Sequence, residues 1–114
     1  MQFDEIPSFS KELKRLQKRY RSLPKDILSL KSLLERQPEG NESRHWRGLH
    51  KSESLAVFKM RLACASLHSS DMRLVYAYHP GDTKIVFIEL YFKGDKANED
   101  RELIKEYILR AEET

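Results

Sequence analysis

Residues 57–64, VFKMRLAC, alternate between apolar and cationic side chains over most of their length. The apolar residues from Phe58 to Cys64 occupy one set of alternate positions, whereas Lys59 and Arg61 occupy the other. Because successive side chains of a β-strand point to opposite faces of a sheet, this pattern predicts a strand with one buried face. Its other face then presents two cations, which need either solvent or an anionic partner.

Two further segments have the composition of strands. Residues 72–79 (MRLVYAYH) and 84–93 (KIVFIELYFK) are rich in Val, Ile, Tyr and Phe, which favour the pleated surface of a sheet. The PGDT sequence between them contains the residues of tight turns and predicts a hairpin. Residues 65–71 form a loop that joins the strand at 57–64 to the next one, so three consecutive strands are expected.

Two amphipathic helices are predicted near the N-terminus, because apolar residues recur there at helical spacing. The first covers residues 9–20, and the second follows Ser22, which can cap it. A turn this short predicts an antiparallel hairpin of helices. Residues 2–7 have the character of a short strand, and a last helix is expected near 98–111 with Asn98 as its N-cap.

These elements predict one α+β domain over residues 1–114, in the order β-αα-βββ-α. Its small antiparallel β-sheet is flanked by an N-terminal helical hairpin and a C-terminal helix. Residues 37–54 contain Pro, Gly, Asn and Ser without a period and are expected to form a long loop. In this loop Arg47 and Trp46 could bind RNA by pairing and stacking, or Trp46 could anchor the loop on the core.

The basic residues are concentrated in the first half of the chain, although the net charge is only +3. Residues 11–25 alone contain seven Lys and Arg against one Glu. A local positive field of this kind attracts polyanions, and Lys14 and Lys18 of the first predicted helix are candidate RNA contacts. The alternative is a solvated helix face that binds nothing.

Several classes of protein and site lack their characteristic patterns in this sequence. It has no apolar run of 18 or more residues and no secretory signal pattern, so a cytoplasmic protein without a membrane span is expected. Cys64, the single cysteine, is expected to pack as a small apolar residue. No nucleotide-binding fingerprint and no metal-ligand spacing occurs, so neither a cofactor nor a metal site is expected.

The cations of the predicted sheet are the strongest indication of function. If the apolar faces of the strands coincide, Lys59 and Arg61 lie beside Arg73 of the next strand. Tyr91 and Lys93 of the third strand share the same open face. Cations beside an aromatic ring suit an RNA phosphate and a stacked base, although an ordinary solvated face is the alternative.

Such a cluster could do more than bind RNA. RNA carries its own nucleophile, the 2′-hydroxyl, so its cleavage needs a base, charge stabilisation on the phosphorane and an acid, but no metal. A lysine crowded by other cations can act as a base, and arginines can clamp the phosphate oxygens. Electrostatic stabilisation of this type is often the largest catalytic contribution.

Over nearly its whole length the chain resembles the RelE/ParE superfamily of type II toxins, in particular the archaeal and cyanobacterial RelE-like branch. The resemblance rests on the order and spacing of FSKELKRLQKRYRSLPKDI, VFKMRLAC, MRLVYAY, and IELYFKGDK before the last helix. It implies a ribosome-dependent, metal-independent mRNA endonuclease that inhibits translation. It also implies a cognate antitoxin as partner, the ribosome and mRNA as targets, and contact with operator DNA only through the antitoxin complex.

The resemblance assigns roles to individual residues. Lys59 and Arg61 match a Lys-x-Lys pair whose first member is considered the general base. Arg73 matches an arginine that contacts the phosphate, and these three residues are the predicted catalytic set. Lys93 or Lys96 matches the cation that follows the last strand and is a predicted phosphate contact.

Two departures from the family pattern leave other functions open. No tyrosine stands near the start of the last helix, and Tyr91, a candidate for RNA binding, precedes the linker. Glu89 and His79 are present but do not clearly match the acid–base arrangement of the YoeB branch. The alternatives are a non-catalytic ParE-type inhibitor of a protein target such as gyrase, and a decayed toxin that acts as an antitoxin-bound co-repressor.

Overall fold

A five-stranded sheet and three helices make up the fold in the computed structural model, which describes residues 1–41 and 43–113. The strands are β1 (Gln2–Glu5), β2 (Trp46–Lys51), β3 (Ala56–Cys64), β4 (Ser69–His79) and β5 (Lys84–Phe92). The helices are α1 (Pro7–Gln17), α2 (Leu23–Arg36) and α3 (Arg101–Glu112). The predicted α+β class is confirmed. Within the described ranges, no helix has the length and apolar character that a membrane span requires.

The strand order in the sheet is β1-β5-β4-β3-β2. Neighbouring strands are antiparallel except β1 and β5, so the sheet is mixed rather than wholly antiparallel. After β1 the chain runs through both N-terminal helices to the opposite edge of the sheet, where β2 begins. Because a long crossover rather than a tight turn follows β1, this strand is free to pair in the parallel sense.

Part of the segment that was expected to be a loop, residues 37–54, forms the edge strand β2. It pairs with β3, and its register shifts at a bulge between Gly48 and His50. The bulge breaks the alternation by which a strand is identified in a sequence, and the polar composition suits an exposed edge. The observed order is therefore β-αα-ββββ-α, with one strand more than predicted.

The last helix begins slightly later than predicted. Its N-cap is Asp100 rather than Asn98, and the Asp100 side chain accepts a hydrogen bond from the backbone N–H of Leu103 at 3.1 Å. Both residue types are good caps. The backbone N–H of Asp100 also donates to the carboxylate of Glu89 at 2.9 Å, and this long-range contact fixes where α3 starts.

Helices α1 and α2 cover one face of the sheet. Phe9 of α1 stacks on Phe87 of β5 with ring centroids 5.3 Å apart. Cys64 is buried in this layer, as its place in the alternating strand predicts. The buried side chains of the layer are Phe9, Leu16, Tyr20, Leu23, Ile27, Leu30, Leu34, Met60, Leu62, Cys64, Met72, Leu74, Tyr76, Ile85, Phe87 and Leu90.

Helix α3 covers only part of the other face. Ile104 of α3 packs in a second apolar cluster with Val57, Val75, Ala77 and Ile88 of the central strands. The rest of this face carries charged side chains of β3, β4 and β5. The sheet therefore has one apolar face and one face divided between an apolar half and a polar half.

Trp46 anchors the start of β2 on the core. Its indole N–H donates a hydrogen bond to the hydroxyl of Tyr76 at 3.2 Å, and that hydroxyl donates to the backbone carbonyl of Pro38 at 2.8 Å. Burial raises the pKa of the Tyr76 phenol, which therefore stays protonated and able to donate. Of the two interpretations of Trp46, the structure shows the anchoring role.

Gly40 lies against the ring of Trp46 with a φ of 75°. A Cβ at this position would lie 2.6 Å from two carbon atoms of that ring. We therefore expect Gly40→Ala to lower the free energy of unfolding by about 1–3 kcal/mol, through backbone strain and displacement of the indole. Urea unfolding followed by tryptophan fluorescence measures the change. Gly81→Ala is the matched control, because a Cβ there meets nothing within 4 Å; equal losses in both variants would contradict the prediction.

Candidate active site

An open cleft of about 330 Å³ lies on the polar half of the divided sheet face, beside the turn that leads into α3. Six of the residues that line it are Lys or Arg, and none of the described ones is Asp or Glu. The cleft is therefore strongly electropositive. Its lining residues are Arg44, His45, Arg47, Lys59, Met60, Arg61, Arg73, Tyr91, Lys93, Ala97 and Asn98.

The register of the sheet brings the cations together. Arg61 of β3 pairs with Arg73 of β4, which in turn pairs with Tyr91 of β5. Lys59 of β3 pairs with Arg47 of the edge strand β2. Because neighbouring strands lie about 4.8 Å apart, side chains at paired positions stand next to each other on one face. The structure thus assembles in one place the residues that the strand patterns placed on a common face.

The cations of the cleft differ in how firmly they are held. Arg73 is 8% exposed, and its guanidinium contacts a backbone carbonyl at 3.4 Å. Arg61 and Lys93 are exposed. In the part of the chain that the structure describes, no carboxylate forms an ion pair with Arg47, Arg61 or Lys93. These three side chains can therefore meet an anion that enters the cleft.

Lys59 is paired with Glu99, which stands in the turn before α3. The Lys59 ammonium donates a hydrogen bond to Oε1 of Glu99 at 2.8 Å, and the two side chains are 18% and 10% exposed. Burial disfavours the charged form of Glu99, but the hydrogen bond and charge of Lys59, with the charge of Arg101, outweigh it. The pKa of Glu99 consequently lies below its ordinary value, so the carboxylate is ionised at neutral pH.

Sequence reasoning did not single out Glu99. It lies 40 residues from Lys59 in the chain, and two strands of the sheet separate β3 from the turn. No local spacing signals such a contact. The one usable indication is topological, because the turn after β5 must return across the polar half of the sheet before α3 can cover the apolar half.

Glu89 and Lys96 form a second ion pair, which holds this turn. The Glu89 side chain is buried and accepts hydrogen bonds from the Lys96 ammonium and, at 2.9 Å, from the backbone N–H of Asp100. The Lys96 ammonium also lies 5.1 Å from the centroid of the Tyr91 ring. Lys96, a predicted phosphate contact, lines the neighbouring groove beside α1 rather than the cleft.

Tyr91 forms part of the cleft wall as a neutral phenol. Burial, followed by the negative charges of Glu99 and Glu89, raises its pKa to about 12, although Arg73 acts in the opposite direction. The hydroxyl therefore keeps its proton at neutral pH. Tyr91 can stack on a base or donate a hydrogen bond, but it is not a proton acceptor.

Three side chains considered from the sequence lie away from the cleft. Lys14 of α1 and Lys18, its C-cap, are exposed, and α1 packs on the opposite face of the sheet. His79 is at the far end of β4, where its Nε2 lies 2.6 Å from the hydroxyl of Tyr107. Burial, followed by the charge of Lys84, lowers the pKa of His79. His79 is thus a neutral side chain remote from the cations of the cleft.

This arrangement suits the chemistry of phosphate esters. Guanidinium groups can bind the oxygens of a phosphodiester and stabilise negative charge that develops there. The ammonium–carboxylate contact beside them joins a proton donor and a proton acceptor. Among the described residues, no group of three or more His, Cys, Asp or Glu is placed to hold a metal ion.

No protein-family model matches the chain, and no curated protein matches it by sequence. Among solved structures, it is similar to a chain in the crystal structure of the archaeal RelE–RelB complex from Pyrococcus horikoshii OT3. The TM-score is 0.62 and the sequence identity is 22%, and the similarity covers 82% of this chain and 94% of the other. The protein therefore has a RelE-like fold.

Proposed function

We propose that the protein is the toxin of a type II toxin–antitoxin system, and that it cuts mRNA on the ribosome without a metal ion. The observation that carries the proposal is the row of cations across β2, β3 and β4 of a RelE-like sheet. Arg61 and Arg73 are paired across neighbouring strands, and no carboxylate lines the cleft among the described residues. A cluster of this kind is suited to a phosphate backbone.

In this proposal the scissile phosphate lies against Arg61 and Arg73. Burial fixes the guanidinium of Arg73, so it can bind phosphate oxygens with little loss of side-chain entropy. The two positive charges stabilise the phosphorane that forms when the 2′-hydroxyl attacks. Lys59 is the proposed proton-transfer group, because it lies two residues before Arg61 in β3 and on the same face of the sheet.

The remaining residues of the cleft bind the flanking nucleotides. Tyr91 is neutral and adjacent to Arg73, so it can stack on a base or donate to a phosphate. Lys93 and Arg47 stand at the two sides of the cleft and contact neighbouring phosphates. Lys96 contributes indirectly, because it holds Glu89 and lies over the Tyr91 ring.

The proposed partners follow from the two basic surfaces and from the solved relative. The exposed cations of α1 and its C-cap, including Lys14 and Lys18, contact ribosomal RNA in this proposal, while mRNA occupies the cleft. The relative was solved as a RelE–RelB complex. By analogy a cognate antitoxin neutralises this protein, and the pair contacts operator DNA through the antitoxin.

Mapping of mRNA 5′ ends after brief expression of the chain without an antitoxin tests the proposed activity. We expect cuts within the codons of translated messages, together with growth arrest. Arg73→Lys keeps the charge but loses the planar fork of the guanidinium, so cleavage should fall by about 10²-fold. Lys84→Ala is the control, because it removes a cation from the opposite end of β5 and should leave the cuts unchanged.

Other outcomes identify the alternative functions. Growth arrest with intact messages would replace the endonuclease by a ParE-type inhibitor of a protein target, which a gyrase supercoiling assay would detect. Absence of any growth effect from the folded chain would indicate a decayed toxin that serves as an antitoxin-bound co-repressor.

The contribution of α1 is tested by the salt dependence of ribosome binding. We expect the double variant Lys14→Ala, Lys18→Ala to bind ribosomes more weakly and to reduce the slope of log K against log salt by about 1–2, because two phosphate contacts are lost. Sedimentation with ribosomes over a KCl series measures the slope. The double variant Lys51→Ala, Lys84→Ala removes the same charge elsewhere; an equal reduction there would show that net charge alone is responsible.

A further inference from the structure

We propose that Glu99, which lines the groove adjoining the cleft, is a catalytic residue that accepts the proton of the attacking 2′-hydroxyl, with its hydrogen-bonded partner Lys59 as the proton donor. This inference rests on the proposed RNA cleavage and adds a residue to it.

The first support is the geometry of the pair. Oε1 of Glu99 lies 2.8 Å from Nζ of Lys59, and Lys59 lines the cleft next to the arginines. Both side chains are largely buried, so the contact is held by its surroundings rather than formed by two mobile surface groups. Glu99 lines the adjoining groove, which shares Arg47 with the cleft, so a nucleotide in contact with Lys59 lies one side chain away from the carboxylate.

The second support is that contacts of neighbouring residues in the turn fix the position of Glu99. The buried carboxylate of Glu89 binds the Lys96 ammonium and the backbone N–H of Asp100, and so fixes the turn on both sides of Glu99. Glu89 has thereby used its own oxygens. Of the two carboxylates, Glu99 is the one that accepts a hydrogen bond from a cation of the cleft, Lys59.

The third support is the chemistry of the two groups. An ammonium that donates a hydrogen bond has no lone pair with which to accept a proton, whereas an ionised carboxylate offers acceptor sites on both oxygens. The structure shows Lys59 as donor and Glu99 as acceptor. Removal of a proton from a hydroxyl thus falls to Glu99, and donation of a proton falls to Lys59.

The resulting reaction is balanced within the site. The 2′-oxygen forms a bond to phosphorus as its proton passes to Glu99, and the bond from phosphorus to the 5′-oxygen breaks as Lys59 gives that oxygen a proton. The products are a 2′,3′-cyclic phosphate and a 5′-hydroxyl. Glu99 is then a neutral acid and Lys59 a neutral amine in direct contact, so one proton transfer between them restores the starting pair.

The charges around Glu99 keep its carboxylate ionised. The charges of Lys59 on β3 and Arg101 on α3 lower the pKa of Glu99. Arg47 and His50 of β2 and Lys105 of α3 line the same groove, and Tyr91 on β5 is neutral. Glu99 is consequently ionised throughout the physiological range. Between acid and neutral pH, the cleavage rate of the natural protein should fall only on the acid side, where this carboxylate gains a proton.

The test is single-turnover cleavage by the purified protein of a defined mRNA bound to ribosomes. Glu99→Gln keeps the size and the carbonyl oxygen but removes the basic charge. We expect cleavage to fall by about 10²–10⁴-fold, while binding of the same message with a 2′-deoxy nucleotide at the cut site stays within about threefold. Glu102→Gln, the same substitution at an exposed site in the first turn of α3, is the matched control and should cleave normally.

A second variant gives a readout that a structural role would not produce. Glu99→His places a base with an ordinary pKa of about 6.5 at the same position, so its cleavage should rise with pH between about 5.5 and 7.5, where we expect a flat profile for the natural protein. Analysis of the 3′ ends should find the cyclic phosphate. A flat profile for this variant would overturn the proposal.

The outcomes separate this inference from the function on which it rests. If the natural protein cuts and Glu99→Gln cuts equally well, Glu99 is not the proton acceptor, although the endonuclease stands. If Glu99→Gln cuts faster and binds the deoxy message more tightly, the carboxylate only competes with phosphate for Lys59, and the proposal fails. If the natural protein does not cut at all, the proposed function fails and this inference fails with it.

Discussion

Helix α3 is shorter than the strands on which it packs, and this difference in length leaves half of one sheet face uncovered. Its 12 residues span about 18 Å, whereas the 11 residues of β4 extend over about 36 Å. One helix therefore buries only the apolar half of this face, around Ile104, and the remaining half must be solvated. Evenly spaced strands then present Arg61 and Arg73 side by side in that half.

The turn between β5 and α3 depends on a buried carboxylate. An ionised side chain as enclosed as Glu89 is costly unless its oxygens are bound, and Lys96 with the backbone of Asp100 satisfies this requirement. The same contacts set the first turn of α3 and the direction of Glu99. Glu89, which sequence analysis considered for proton transfer, thus serves to place Glu99 beside Lys59. The same turn connects the helix that covers the apolar half of the face to the residues of the polar half.

The sequence predicts those features that depend on local periodicity. Alternation in β3 identifies the open face with Lys59 and Arg61, and helical spacing identifies all three helices. It does not predict β2, because the bulge after Gly48 breaks the period and an edge strand has few buried side chains. It also does not predict the contact of Lys59 with Glu99, since that contact depends on how β4, β5 and the following turn are stacked in space. Local patterns show which residues of a strand share a face of the sheet, whereas the partners of a charged side chain depend on the packing of distant elements.

The placement of α1 has a consequence for the shape of any target. Lys14 and Lys18 are exposed in the helical layer on one face of the sheet, while the cationic cleft lies on the other face. A target that touches both must pass around the edge of the sheet, where Tyr91 of the cleft wall also lines a groove with Lys11 and Arg15 of α1. An RNA that engages the two surfaces together must therefore curve around the protein, whose shortest extent is 24 Å. Selection between targets would then depend on the three-dimensional shape of the RNA, so that an isolated message and a folded RNA assembly are distinguished before any base is read.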